Sequence, residues 1–208
     1  MSDRQTVQMW FDPICPWAWL TSRWLLEVEQ VRPVDVQFRV MSLSMLNEGR
    51  DLGPEYNEMM LRAWGPVRVS VAVQEQHGDE AVRALYTALG NRIHLEKQEL
   101  GPDLYSAALT EAGLPVSLAG LADDPEWDGP LRASHSAGMA PVGMDVGTPV
   151  IHVPNSDGTD PVAFFGPVVT PAPKGEAAGR LWDGVLLVAG TPGFYELKRS
   201  RNESPTFD

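Results

Sequence analysis

The sequence predicts an α/β fold in which a strand-helix-strand unit and a strand-strand-helix unit are separated by an inserted all-helical subdomain. Three observations point to it. Strand and helix patterns alternate at the start of the chain. A stretch of about ninety residues follows with no comparable strand signal, and strand patterns return only after Gly147. At 208 residues, set against roughly 150 residues per domain, the chain suits one large domain or a small domain carrying a sizeable insertion.

Residues 7–12 (VQMWFD) are a short apolar run ended by Pro13, which reads as a buried strand. From Pro16, the segment PWAWLTSRWLLEVEQ spaces Trp17, Leu20, Trp24, Leu25 and Val28 close to the helical period. Its Pro lies in the first turn, where a missing N–H costs nothing. Val34, Val36, Phe38 and Val40 alternate with Asp35, Gln37 and Arg39, so residues 34–41 form a second strand with one buried face. In the middle, helices are expected over residues 54–76, 79–94, 102–112, 115–121 and 125–137, several begun by Pro or ended by Gly. Gly53 and Gly138 are the expected joints of this insertion. Residues 148–153 then read as a strand, 154–160 (PNSDGTD) as a hairpin loop, 162–165 as the returning strand, and 175–189 as an amphipathic helix before a polar tail from Lys198. The expected domains are 1–45 with 140–208 for the α/β part, and 46–139 for the helical lid.

A hydrophobic share of 43% with 21% charged residues excludes disorder as the main state. Sixteen Lys plus Arg against 28 Asp plus Glu leave a net charge of -12, which repels a phosphate backbone and excludes nucleic acid as the natural partner. The first residues carry no secretory pattern and no apolar run is long enough to span a membrane, so a cytoplasmic location without a membrane partner is expected. One cysteine excludes an internal disulfide, and with four His it is too poor a ligand set for a structural zinc site, so no metal is expected. Dinucleotide, phosphate-loop, zinc-protease and nucleophile-elbow motifs are missing, and no tightly bound cofactor is expected.

Cys15 stands between the first strand and the first helix, beside unpaired N–H groups and the positive end of the helix dipole. Such a position is expected to lower a thiol pKa from about 8.5 toward roughly 3.5–7.5 and to supply thiolate at neutral pH. Trp10, Trp17 and Trp19 crowd the same stretch. In a CxxC motif the second Cys attacks the mixed disulfide formed by the first. Here Ala18 holds that place, and its methyl group resolves nothing. An adduct at Cys15 must be cleared by an outside thiol or a separate reductase, which makes the chemistry monothiol. Asp12 reads first as a turn or cap residue and second as a group that tunes the thiol. Trp64 and Arg68 read as packing and surface charge.

The segments WFDPICPWAWLTSRW, AWGPVRV, GNRIH, VGTPVIHV, AFFGPV and ELKRSR, in this order, resemble the DsbA-like branch of the thioredoxin superfamily. They are similar, more closely, to the actinobacterial mycothiol-dependent nitroreductase family. The resemblance implies a thioredoxin fold with an inserted helical subdomain and Cys15 as nucleophile, flanked by Pro16 and Trp17. The family commonly has a second Cys where Ala18 stands. Thr148-Pro149 matches the cis-proline loop of the superfamily, whose Thr148 backbone N–H and C=O would be free to pair with a bound thiol peptide. Asn47, Tyr56 and His94 lie in the segment expected to form the lid, where they would position a thiol or an electron-poor aromatic. Mycothiol, or another small thiol, is the implied cosubstrate.

Three readings stay open at this level. In the leading one, Cys15 attacks a disulfide or an electrophilic aromatic and a small thiol completes turnover. In the second, the chain is a transferase or isomerase of the kappa-class glutathione transferase and chromene carboxylate isomerase type, which only activates a bound thiol. In the third, it is a redox-inactive binding module or holdase. A homodimer is compatible with each.

Overall fold

The computed structural model describes residues 4–155 and 160–207. Its sheet has the order β2-β1-β3-β4. β1 (Gln5–Phe11) pairs in parallel with β2 (Val34–Val40), from Gln5 opposite Val34 to Phe11 opposite Val40. On its other side β1 pairs antiparallel with β3 (Val150–Val153), which pairs antiparallel with β4 (Val162–Phe165). β1 is therefore a central strand, and Val7, Met9 and Phe11 are fully buried, which explains its apolar run. β2 lies at the edge and keeps the alternation read from its sequence. The hairpin expected over 154–160 has its tip, 156–159, outside the described residues.

α1 (Pro16–Val31) begins at the end of β1 with Cys15 as its N-cap. α8 (Gly175–Ala189) packs across it, with the Trp24 and Trp182 rings 6.0 Å apart and Trp24 Nε1 donating to the Ala178 carbonyl at 3.1 Å. Glu29, almost fully buried on α1, accepts from the Val36 amide at 2.7 Å and pairs with Arg83, tying α1 to β2 and to the helical segment. A buried carboxylate held by an Arg and a backbone N–H has its charge compensated where it lies.

Between β2 and β3 the chain is helical, with boundaries that depart from the expected ones. A short α2 (Leu43–Leu46), capped by Ser42 Oγ at 3.1 Å from the Met45 amide, was not visible as a periodic segment. The single helix expected over 54–76 is two, α3 (Pro54–Arg62) and α4 (Trp64–His77). The break at Ala63 puts Pro66 in the first turn of α4, where it needs no N–H partner. α5 (Asp79–Gly90) stops before His94 and runs into a π-helical turn over Asn91–Leu95. At Gly90 a Cβ would lie 2.1 Å from the Trp19 ring, so the missing side chain admits that indole against the helix backbone. α6 (Pro102–Glu111) is close to expectation. Two 3-10 turns, Val116–Asp123 and Pro125–Trp127, replace the next helix and the start of the last. α7 (Asp128–Met139) begins only after Asp124 has capped the second turn. Gly138, expected to be a joint, lies inside α7, where a Cβ would meet the Trp10 ring at 2.5 Å. It is a packing glycine. Gly53, with φ 90°, does open α3.

Candidate active site

The loop between β1 and α1 is fixed by Asp12. Its Oδ1 accepts from the Ile14 amide at 3.0 Å and its Oδ2 from the Leu43 amide at 2.7 Å, so one carboxylate shapes the turn and joins it to α2. Asp12 is fully buried. Burial pushes its carboxyl up to about 7, against the downward pull of those two N–H groups.

At the N-cap, Cys15 Sγ receives the Ala18 N–H at 3.4 Å and donates its own proton to the Thr148 carbonyl at 3.4 Å. The Thr148–Pro149 peptide is cis, and Thr148 Oγ1 donates to the Trp10 carbonyl at 2.7 Å. Two expectations are corrected here. The Thr148 carbonyl is not free, because the Cys15 thiol occupies it. The sulfur is not a thiolate at rest: Cys15 is only 7% exposed, and burial pushes its pKa up to about 11. The Ala18 and Trp17 amides and Arg201 pull the other way, while Asp12 adds a like charge. The start of α1 does supply the stabilising N–H group, and desolvation outweighs it.

The other sequence-derived residues divide. Pro16 is the first residue of α1, Trp17 follows half-buried, and Ala18 is fully buried with its N–H on the sulfur. His94 is buried, its Nε2–H donating to the Pro13 carbonyl at 2.8 Å, and its ring stacks with Trp19 at 5.8 Å. Burial pushes His94 down to about 4, which keeps the imidazole neutral. Tyr56 on α3 is partly exposed, and its hydroxyl pKa is raised by burial and by the charges of Cys15 and Asp12. Asn47 closes α2. Its amide donates to the Leu43 carbonyl at 2.9 Å and touches Met60 Sδ at 3.9 Å. Beside Ile14, a cavity of about 350 Å³ is walled by Met59, Ile93, Glu55, Glu58 and Arg62. Among the described residues no cluster of His, Cys, Asp and Glu is arranged to hold a metal.

Sequence reasoning missed the end of the chain, read only as a polar tail. Arg201 lies over the Trp17 ring at 5.5 Å and Phe207 stacks with His94 at 5.8 Å. The signal was a single aromatic residue two positions after Pro205.

A cysteine capping the first helix, bonded to a cis-proline loop at the end of this sheet, gives the chain the DsbA-like thioredoxin fold. Within that class, the model of the Rv2466c-like family, described as mycothiol-dependent nitroreductase Rv2466c, matches residues 14–199. The chain belongs to that family. It is 29% identical over 199 residues to the uncharacterized protein Rv2286c of Mycobacterium tuberculosis, covering 95% of this chain and 83% of that one. Its fold is similar to that of the cytosolic disulfide reductase DsbM of Pseudomonas aeruginosa, at 19% identity and a TM-score of 0.56 over 88% of this chain and 99% of that one. It is also similar to SCO1869 of Streptomyces coelicolor, assigned to the DsbA oxidoreductases, at 15% identity and a TM-score of 0.58 over 97% and 96%.

Proposed function

We propose that the protein is a monothiol member of its family, in which Cys15 and mycothiol together reduce nitroaromatic compounds or disulfides through a mixed disulfide. The observation that carries this reading is the environment of the sulfur: a helix-start N–H and the Thr148 carbonyl of the cis-proline loop hold Cys15, and a methyl group stands where a second thiol would be. With a disulfide, the Cys15 thiolate attacks one sulfur and expels the other as a thiolate; a free thiol then attacks the new bond and restores Cys15. With a nitroaromatic, reduction to the nitroso compound takes two electrons and two protons and releases water. Cys15 and one mycothiol supply both electrons and both protons and end as a mixed disulfide, and a second mycothiol releases Cys15 and leaves as mycothiol disulfide.

The resting thiol must lose its proton before attack, and the Ala18 N–H is then placed to bind the anion. Reduced mycothiol would be regenerated by a separate thiol reductase, and the working location in this reading is the cytoplasm. Among the described residues no helix is long and apolar enough to cross a membrane. The test is reduction of a nitroaromatic by the purified protein with mycothiol. Turnover should require the thiol and fall to background in Cys15→Ser; turnover that survives this substitution refutes the reading.

A further inference from the structure

The end of the chain folds back beside the site, where Phe207 packs on His94 and lines a cavity with Trp19 and Arg23. The Phe207 ring stacks with His94, with centroids 5.8 Å apart and planes inclined by 29°. Lys97 Nζ sits 4.7 Å from the centroid of the same ring. Phe207 packs against the hydrophobic core in part, and the preceding residue is tied down by the Thr206 amide donating to Thr170 Oγ1 at 2.8 Å. Six residues earlier, Arg201 covers Trp17.

His94 reaches the cysteine loop through Pro13, and its ring also stacks with Trp19. Lys97, with φ 58°, is the one non-glycine described residue in the left-handed region. It closes the π-helical turn, where the Gln98 amide bonds the Arg92 carbonyl at 2.9 Å, and it stands out from the turn over Phe207. A neutral imidazole stacked with a ring and a cation near the same ring are two favourable terms for any planar aromatic group. Residues 201–207 lie beyond the family match at 14–199.

We propose that His94 and Lys97 form a binding subsite for a planar aromatic ring, which the chain's own Phe207 fills at rest, so that an aromatic ligand enters by displacing the C-terminal strap. The substrate class is then an uncharged or anionic aromatic, its ring on His94 and its substituents near Lys97 and the cysteine loop. This rests on the reading that aromatic substrates approach Cys15. Strap displacement also uncovers Trp17, the second ring of the site.

The test is calorimetric titration of the full-length protein with p-nitrobenzyl alcohol, in wild type and in a Cys15→Ser background where no chemistry follows binding. Phe207→Ala should bind the probe about 3- to 10-fold more tightly, the range expected for loss of one competing ring stack. Adding Lys97→Met to Phe207→Ala should remove part of that gain. A synthetic peptide of residues 202–208 should compete with the probe in Phe207→Ala. Equal or weaker binding in Phe207→Ala, or no competition by the peptide, overturns the proposal. Binding is read without turnover, so failure of nitro reduction and failure of this subsite are separate outcomes.

Discussion

Asp12 and His94 are buried beside the same cysteine loop, and their protonation responds to burial in opposite senses. Asp12 keeps a proton up to about 7 in the fold but only to 3.8 when free, so between those values the folded form binds a proton the unfolded form lacks. Its contribution makes stability fall as pH rises from about 4 to 7. His94 has its pKa lowered from 6.5 to about 4, so over that interval the unfolded form holds the extra proton and stability rises with pH. The two slopes oppose each other. In Asp12→Asn the falling contribution is gone, and the urea midpoint should climb from pH 4 to 6.5 more steeply than in wild type; parallel curves would contradict the assigned burial. The same variant should lose about 1–3 kcal/mol, because an amide cannot accept both backbone N–H groups. The turn role of Asp12 was legible in the sequence from its place just before the start of a helix. Its bond to Leu43, 31 positions away, was not, since nothing local encodes it. The position of Cys15 at the helix start was legible too, whereas its protonation depends on how deeply other segments bury it. Ala18→Cys adds a thiol one helical turn from Cys15, at a separation suited to a disulfide. Oxidised Ala18→Cys should show no free thiol by reagent counting, against one in wild type; a persistent count of two would mean that the geometry is wrong.

On α7 two glycines of identical sequence appearance differ in role. A Cβ at Gly138 would lie 2.5 Å from the Trp10 ring, while one at Gly129 would meet nothing within 4 Å. Gly138→Ala should therefore cost about 1–3 kcal/mol through overpacking, and Gly129→Ala should be neutral or stabilise by up to about 1 kcal/mol through lost backbone freedom in the unfolded chain. Thermal midpoints of the two variants measure this, and a common shift of either sign would refute the packing role. Strands and the outer helices could be read because their periods are local: β2 alternates as its sequence does, and α8 runs over Gly175–Ala189 as expected. The π-helical turn after α5 could not, and it begins where the Trp19 ring lies against Gly90, a contact between segments far apart in the chain. The division of residues 54–76 turned on one proline whose helical position the periodicity left undetermined.

Across the whole molecule, a four-stranded sheet presents the β1–α1 junction, and the intervening helical segment, through Leu43 and His94, and the C-terminal Arg201 pack against it. The family was legible because its motifs surround that junction in chain order; the strap was not, since its partners His94, Lys97 and Trp17 lie far upstream. The division into an α/β part and a lid at 46–139 is kept as a proposal, with α2 joined to the cysteine loop through Asp12. At this scale the central claim is that one sulfur works without a resolving partner, and intact-protein mass after exposure to mycothiol disulfide tests it most directly. Wild type should gain the mass of a single mycothiol, hold it until free thiol is added, and then return to its starting mass, while Cys15→Ser gains nothing. An adduct in Cys15→Ser, or none in wild type under conditions where nitroaromatic turnover proceeds, would contradict the account.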